Sequence, residues 1–354
     1  MGLFHYRAPL LVDDASRMPD HVLVSMVRPR LGATPLILAA LLIGPTVSRA
    51  GRGQSHDPGA PAAPRGNANA SGKPAPYGDP NAAPVKLWVL AEGRSRHLVL
   101  DLKPGDFQVL DDGQPQHLTY FAPRSTEPLS LGILIETSRG RLYEPQPVDW
   151  QAYSKLLRKL LHPGDQAFVA TFAEKTVLQS KFTEDFGQLD RALRDAFKTV
   201  PEGTTTLYDS VYDLCEEPFS GVRGRRVLLV VSDSGDQSSY HSQVQTLEKV
   251  QRTGVTVYFV LPWVDRTYQP TYGAREAAQL FADSTGGLFF LAFGRKALLD
   301  DLDGIAAALT YTYTLGYEPS TGVHDGRFHD VKVKCARRGV KIDASEGYYA
   351  AGKK

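Results

Sequence analysis

The 354-residue chain is poor in cysteine and almost free of net charge, and each shortage excludes a class of protein. Two cysteines, Cys215 and Cys335, are too few for a fold built on disulfides, and either one bridge or two buried thiols fits the sequence. The 40 basic and 39 acidic side chains leave a net charge of +1, which gives nucleic acid no field to bind. A hydrophobic content of 42% is typical of a folded globular protein.

Motifs of catalysis are missing as well. The sequence contains no G-x-S-x-G nucleophile turn, no H-E-x-x-H zinc motif and no phosphate-binding loop. Between residues 128 and 309 the histidines are His162, before a Pro-Gly pair, and His241, at a predicted helix start. Neither stands beside a nucleophile signature, so we expect structural or solvent-exposed roles. The sequence therefore favours a binding protein that is not an enzyme and has no small-molecule substrate. A hydrolase is the least favoured interpretation.

The first fifty residues have the layout of a secretory signal. Arg28 and Arg30 precede an uncharged apolar stretch over residues 31–48, and small residues stand at its end. The stretch is short for a membrane span, although an uncleaved anchor stays an alternative and would be the one link to a membrane. Met26 offers a more ordinary start for such a signal than the first residue does. Residues 1–50 are therefore predicted to be a targeting segment.

The next segment, residues 51–84, consists mainly of Gly, Pro, Ala, Asn and Ser. So few large apolar side chains cannot offset the entropy of ordering the backbone, and we predict a disordered linker. Signal and linker together predict a secreted or periplasmic protein of the cell envelope.

Two stretches with strand periodicity flank the middle of the chain. In residues 85–123, V-K-L-W-V-L and H-L-V-L-D-L alternate around a turn, and an Asp-Asp-Gly turn separates two further short strands. In residues 310–350, Y-T-Y-T-L-G-Y, H-D-V-K-V-K-C and V-K-I-D-A alternate in the same way. Unpaired strand groups would expose bare edges. We therefore predict that the two flanks pair into one β-sandwich, which the middle of the chain interrupts.

The middle segment, residues 128–309, has the pattern of an α/β domain. The strands L-S-L-G-I-L-I-E, R-V-L-L-V-V, V-T-V-Y-F-V-L and G-L-F-F-L-A are apolar without alternation, and D-Q-A-F-V-A-T-F with T-V-L-Q-S-K-F reads as a strand pair. Segments of helical periodicity separate them: 148–161, 185–197, 207–217, 242–252, 274–284 and 296–309. Apolar strands that alternate with helices indicate a doubly wound, mainly parallel sheet covered on both faces.

Three polar loops follow strands or precede a helix at the carboxyl end of this predicted sheet, where ligands of such folds bind. They are residues 136–140 (E-T-S-R-G), 203–206 (G-T-T-T) and 232–236 (S-D-S-G-D). Each loop offers oxygen ligands, which suit a hard divalent cation such as Mg²⁺, Mn²⁺ or Ca²⁺.

The order of strands and helices, together with these loops, resembles a von Willebrand factor type A domain. The segments D-F-Q-V-L-D-D-G-Q-P-Q, G-T-T-T-L-Y-D, L-G-Y-E-P and E-G-Y-Y-A further resemble a family of exported bacterial proteins related to that domain and prominent in acidobacteria. The resemblance covers about residues 85 to 350. It implies a metal-ion-dependent adhesion site, with an Asp-x-Ser-x-Ser loop, a Thr and an Asp. One coordination position of that site is left for an acidic group of a partner.

Carried over residue by residue, the resemblance assigns Glu136, Ser138, Thr205 and Asp233 to this site, with Gly140 in place of the second Ser. Glutamate is one methylene longer than aspartate, and glycine has no hydroxyl, so Mg²⁺ should be affected more than Ca²⁺. Two interpretations remain open. The residues either hold a divalent cation that helps to bind a protein or cell-surface ligand, or they cap helices in a metal-independent interaction or structural scaffold.

Two further groups of residues could have a role at the surface. The aromatic group has two possible interpretations, and the basic group has one. Aromatic residues in loops after strands either anchor a partner or pack beneath a long loop: Tyr240, Trp263, Tyr268 and Tyr272. The basic residues Arg223, Arg225 and Arg226 precede a strand and are expected to form a solvent-exposed turn.

Overall fold

The computed structural model describes residues 11–12, 85–138, 150–200, 202–233, 235–263, 272–320 and 324–352. All of these lie in one structural unit. The predicted linker, nearly all of the predicted targeting segment and Gly140 lie outside the described residues. Among the described helices, none combines the length and apolar character needed to cross a membrane.

The elements alternate between strands and helices in the middle of the chain and are almost entirely strands on either side. In chain order they are β1 (Leu11–Val12), β2 (Val85–Glu92), β3 (His97–Leu98), β4 (Phe107–Asp111), β5 (Gln114–Gln116), β6 (Leu118–Ala122), β7 (Leu129–Glu136), α1 (Trp150–Leu160), β8 (Gln166–Phe172), β9 (Thr176–Leu178), α2 (Phe186–Lys198), α3 (Leu207–Glu216), β10 (Arg225–Val231), α4 (Gln243–Thr253), β11 (Val255–Trp263), α5 (Tyr272–Thr285), β12 (Phe289–Phe293), α6 (Gly294–Thr310), β13 (Tyr313–Tyr317), β14 (Phe328–Cys335), β15 (Lys341–Asp343) and β16 (Gly347–Tyr349). Short 3₁₀ turns lie at Arg94–Arg96 and Pro104–Asp106.

The central sheet has the strand order β12-β11-β10-β7-β8-β9. Its neighbours are parallel, except that β9 runs antiparallel to β8. Alternate residues of each strand enter different apolar clusters. Ile133 and Leu229 pack with α1, α2 and α6, whereas Leu134 and Leu228 pack with α3, α4 and α5. The apolar strands lack alternation because helices cover both faces. The predicted α/β class is confirmed, and β7 and β10 lie side by side.

Strands of the two flanks pair with each other. β13 lies antiparallel between β2 and β6, β14 pairs with β4, and β15 pairs with β2. The resulting sheets have the orders β1-β3-β2-β13-β6 and β16-β14-β4-β5. One apolar cluster draws on both sheets, and the rings of Phe107, Phe121 and Tyr313 contact one another within it.

The second strand predicted in the N-terminal flank is much shorter than expected. The alternating segment H-L-V-L-D-L contributes only His97–Leu98 to a strand. Ser95 and Arg96, just before it, have left-handed backbone conformations with φ of 54° and 63°. Such a conformation turns the chain sharply and is not recognisable from the polar-apolar pattern that follows.

The prediction that Arg225 and Arg226 lie in a solvent-exposed turn is wrong, because both residues belong to β10. Arg225 is the first residue of β10 and is buried. Its guanidinium donates hydrogen bonds to the Leu309 carbonyl oxygen, at 2.9 Å, and to Thr312 Oγ1, at 3.2 Å. These acceptors lie where α6 ends and the C-terminal flank begins, so Arg225 ties the central sheet to that junction.

The two cysteines are free thiols. Cys215 is buried on α3, and burial raises the pKa of its thiol to about 12. Cys335 is the last residue of β14 in the C-terminal flank and is half-buried. Of the two alternatives that the sequence allowed, the structure has the separate thiols.

Candidate functional site at the carboxyl end of the central sheet

A single buried carboxylate joins the three predicted loops. β7 ends at Glu136, whose Oε1 accepts hydrogen bonds from Ser138 Oγ and from Thr205 Oγ1, the latter at 3.2 Å. Its Oε2 accepts from Ser232 Oγ at 2.7 Å and from the backbone N–H of Asp233 at 3.2 Å. Because β7 and β10 are parallel neighbours, their carboxyl ends deliver the first and third loops to the same place. The structure thus brings all four predicted site residues together.

Burial raises the pKa of the Glu136 carboxyl above its ordinary value, and the negative charge of Asp233 raises it further. Hydrogen bonds from Ser138 and Ser232 oppose that rise because they favour the charged form. Two carboxyl groups therefore interact unfavourably in a poorly solvated place. A cation bound beside them would relieve that repulsion.

The second loop is held in place from two sides. The Thr205 carbonyl oxygen accepts hydrogen bonds from the backbone N–H groups of Gln237, at 2.8 Å, and Ser238, at 3.2 Å. Thr206 Oγ1 donates to the Ala173 carbonyl oxygen at 2.8 Å, next to the end of β8. The backbone at Thr205 and Thr206 is therefore fixed between the loops that follow β8 and β10.

The start of α3 is satisfied by side chains from the loop after β10. Asp236 Oδ1 accepts from the backbone N–H of Tyr208 at 3.1 Å, and Ser239 Oγ accepts from that of Asp209 at 3.1 Å. In return, the Asp209 carboxylate accepts from the backbone N–H groups of Tyr240 and His241, each at 2.8 Å, and pairs with His241 Nδ1 at 2.7 Å. Side chains thus replace the intrahelical acceptors that the Tyr208 and Asp209 N–H groups lack at the start of α3.

His241 has the structural role that the sequence indicated. Its ring stacks on Tyr212, with the centroids 3.8 Å apart, besides pairing with Asp209. Burial opposes ionisation of Asp209, but the hydrogen bonds from His241 and Tyr240 outweigh it and lower the pKa of this carboxyl. The sequence did not reveal the roles of Asp209 and Asp236 because their backbone partners lie 28 to 32 residues away along the chain.

We expect Asp209→Ala to lower the free energy of unfolding by about 2 kcal/mol, because two backbone N–H groups lose their acceptor. Urea denaturation followed by circular dichroism measures the change. Asp213→Ala is the matched control, since Asp213 is exposed one turn later on α3. Equal stability losses for the two variants would contradict this role of Asp209.

The aromatic rim is described only in part. Tyr240 is almost fully exposed, so it does not pack beneath a loop. The side chains of Trp263, Tyr268 and Tyr272 lie outside the described part of the structure.

The donor set at Glu136 is chemically suited to a hard divalent cation. Ser138 and Thr205 donate their hydroxyl hydrogens to Glu136, so their oxygen lone pairs stay available to a cation. Asp233 adds a carboxylate, of which Oδ1 accepts from the backbone N–H of Gly235 at 2.9 Å. All of these ligands are oxygens, which is the preference of Mg²⁺, Mn²⁺ and Ca²⁺.

No protein-family model and no curated protein matches the chain. Among solved structures it is similar to the conserved hypothetical protein BatB from Bacteroides thetaiotaomicron, with 16% identity over 51% of this chain and 98% of BatB and a TM-score of 0.40. It is similar to the vWF domain of the type V pili tip protein Mfa5 from Porphyromonas gingivalis, with 11% identity over 52% of this chain and 96% of that domain and a TM-score of 0.40. Proximal thread matrix protein 1 from the mussel byssus, in a structure with a zinc-occupied MIDAS motif, is 15% identical over 56% of this chain and 49% of its own, with a TM-score of 0.41.

Proposed function

We propose that this protein is an exported recognition module of the von Willebrand factor A type, which binds an acidic group of a protein or cell-surface partner at the carboxyl end of its central sheet. Its doubly wound domain is inserted in a β-sandwich formed by the two flanks. The observation that carries the proposal is the convergence of three loops on the Glu136 carboxylate. The protein is not an enzyme, and its partner is neither a nucleic acid nor a small-molecule substrate.

In this proposal Glu136, Ser138, Thr205 and Asp233 would surround a divalent cation, and Glu136 also orients the Ser138 and Thr205 hydroxyls. A cation held by these residues would supply a positive charge for a partner carboxylate. Ca²⁺ or Mn²⁺ suits the site better than Mg²⁺, because Gly140 offers no hydroxyl and Mg²⁺ requires a nearly ideal octahedral shell.

A second candidate function has its own support in the structure. The Glu136 carboxylate accepts hydrogen bonds from four protein groups, so the loops are cross-linked without an ion. On this reading the rim is a metal-independent interaction surface or scaffold, and the same residues serve to fix the loops.

Calorimetric titration of the full chain with Ca²⁺, Mn²⁺ and Mg²⁺ separates the two candidates. We expect Ca²⁺ and Mn²⁺ to bind, and Asp233→Asn to weaken that binding about tenfold or more, because a charged ligand is lost. Asp236→Asn is the matched control: it removes the same charge from the same loop but keeps the Oδ1 acceptor for α3. Equal affinities of the wild type and Asp233→Asn would reject the cation site and leave the metal-independent function.

Restoring the usual ligands is expected to strengthen Mg²⁺ binding. The double variant Glu136→Asp, Gly140→Ser shortens the carboxylate by one methylene and adds a hydroxyl, so its Mg²⁺ affinity should rise about tenfold. The same calorimetric titration measures it, with each single variant as a control. An unchanged Mg²⁺ affinity would show that these two departures do not limit the site.

A further inference from the structure

A second cluster of ligand-type side chains lies in the β flanks, away from the three loops. Asp111 ends β4, Asp112 begins the turn to β5, and His329 lies on β14, which pairs with β4. His329 Nδ1 is 3.0 Å from Asp112 Oδ2 and 3.6 Å from Asp111 Oδ1. One ligand atom from each of the three residues lies within 4.8 Å of the other two. Pairing of the N-terminal and C-terminal flanks therefore creates this cluster.

Each of the three side chains has one polar atom engaged by the protein and another near its neighbours. Asp111 Oδ2 accepts hydrogen bonds from the hydroxyls of Tyr317, at 2.8 Å, and Tyr348, at 3.0 Å. Asp112 Oδ1 accepts from the backbone N–H of Asp330 at 2.9 Å. His329 Nε2 lies 3.1 Å from Asp325 Oδ1. Contacts of this kind orient metal ligands and select the histidine tautomer in which the other ring nitrogen can bind a metal.

Two of the atoms that face one another accept or donate no hydrogen bond among the described residues. Asp111 and His329 are 3% and 4% exposed, and Asp111 Oδ1 and His329 Nδ1 have no hydrogen-bond partner among the described residues. Although Asp112 Oδ2 is near His329 Nδ1, the approach does not meet the directional requirement of a hydrogen bond. Leaving such buried polar atoms without a directed hydrogen bond is costly, and a cation bound between them would satisfy both.

The donor types and spacings fit a zinc ion. Zinc ligands lie at about 2.0 to 2.2 Å in a tetrahedral arrangement, which places neighbouring ligand atoms about 3.3 Å apart. The two distances from His329 Nδ1, 3.0 and 3.6 Å, lie on either side of that spacing. A histidine nitrogen with two carboxylates suits zinc better than Ca²⁺ or Mg²⁺, which prefer oxygen ligands alone. Asp112 is 49% exposed at its side chain, so an ion has a way in.

We propose that Asp111, Asp112 and His329 bind Zn²⁺, with Tyr317, Tyr348 and Asp325 as positioning residues. Asp111 and Asp112 come from the N-terminal flank and His329 from the C-terminal flank, so the ion links the two ends of the folded chain across β4 and β14. Three protein ligands leave a fourth tetrahedral position for water or for a group of a binding partner.

Zinc titration of the metal-stripped full chain tests the site. We expect Zn²⁺ to bind at this cluster, and Asp112→Asn to weaken that binding about tenfold or more. This substitution should leave the fold intact, because Asn keeps the Oδ1 acceptor for Asp330 and tolerates the φ of 47° at this position. Asp330→Asn is the matched control: it removes the same charge from an exposed position next to His329. Asp233→Asn serves as the control for the other candidate site, and both controls should keep wild-type Zn²⁺ affinity at Asp111, Asp112 and His329.

Cobalt substitution gives a second readout. Co²⁺ bound to a nitrogen and two carboxylates in tetrahedral geometry should give visible absorption bands, and His329→Gln should remove or shift them. If His329 is only a protonated partner of the carboxylates, the wild type binds no Zn²⁺ near neutral pH, which overturns the proposal. Wild-type zinc affinity in Asp112→Asn also overturns it, whether or not His329→Gln folds.

Discussion

Asp301→Asn should raise the free energy of unfolding near pH 8 by up to about 4 kcal/mol and change it little near pH 4. Asp301 is 1% exposed on the buried face of α6, beside apolar residues such as Leu298 and Ile305. Neither of its carboxyl oxygens has a hydrogen-bond partner among the described residues. Burial, assisted by the charge of Asp300 and opposed by Arg96, raises the pKa of Asp301 from 3.8 to about 7.

The raised pKa fixes the direction of the pH dependence. Between the unfolded pKa of 3.8 and the folded pKa of about 7, the native protein holds a proton that the unfolded chain has released. The stabilisation is therefore complete below the lower value and is lost as the pH rises through the upper one. The difference between these two pKa values corresponds to about 4 kcal/mol. Asn cannot ionise, so the variant avoids this loss.

Urea denaturation of the wild type and of Asp301→Asn at a series of pH values measures the effect. Asp303→Asn is the control, because Asp303 is a partly exposed residue of the same helix that pairs with Lys159. It should lose only the contribution of a surface ion pair, about 0.5 kcal/mol. If Asp301→Asn and the wild type have parallel stability curves from acid to alkaline pH, Asp301 does not titrate as its burial requires.

Glu136→Ala should lower the free energy of unfolding by about 3 kcal/mol, because three hydroxyls and one backbone N–H lose their acceptor together. Cation binding at the rim should be lost as well, since the Ser138 and Thr205 hydroxyls are no longer oriented. Denaturation and calorimetric titration of the same protein sample measure both effects.

Glu136→Gln is the matched variant for this test. It has nearly the same size and keeps one oxygen acceptor, so its loss of stability should be about half that of the Ala variant. Wild-type stability in Glu136→Ala would mean that solvent satisfies the hydroxyls equally well. The hydrogen bonds of the three loops to Glu136 would then contribute nothing to the free energy of unfolding.

Many strands and helices of the central domain could be predicted, because their bounds follow from the apolar pattern and the capping residues of the segment itself. The segment Leu129–Glu136 forms a strand with the bounds that its apolar run indicates, and Phe186–Lys198 starts directly after a helix-capping Asp185. Arg225 could not be placed, because its burial depends on acceptors at the end of α6. The second strand of the first hairpin is shorter than predicted, because the left-handed residues Ser95 and Arg96 at the turn cannot be recognised from the polar-apolar pattern.

The candidate site was predictable at the level of residues and not at the level of contacts. The loops that hold Glu136 and Asp233 could be identified because each comes at the end of an apolar strand, and parallel strands end at the same edge. The family resemblance then selected these two residues within the loops. The hydrogen bond from Ser232 to Glu136 depends on β7 and β10 being neighbours, which spacing alone does not show. The cluster at Asp111 and His329 was missed for a similar reason, because the pairing of β4 with β14 brings the distant flanks together.

The most direct test of the recognition site is the anomalous diffraction of Mn²⁺ in crystals of the full chain. We expect a peak bounded by Ser138, Thr205 and Asp233 that disappears in Asp233→Asn. Manganese found only at Asp111, Asp112 and His329, or at neither place, would contradict a cation-dependent site at the end of the central sheet.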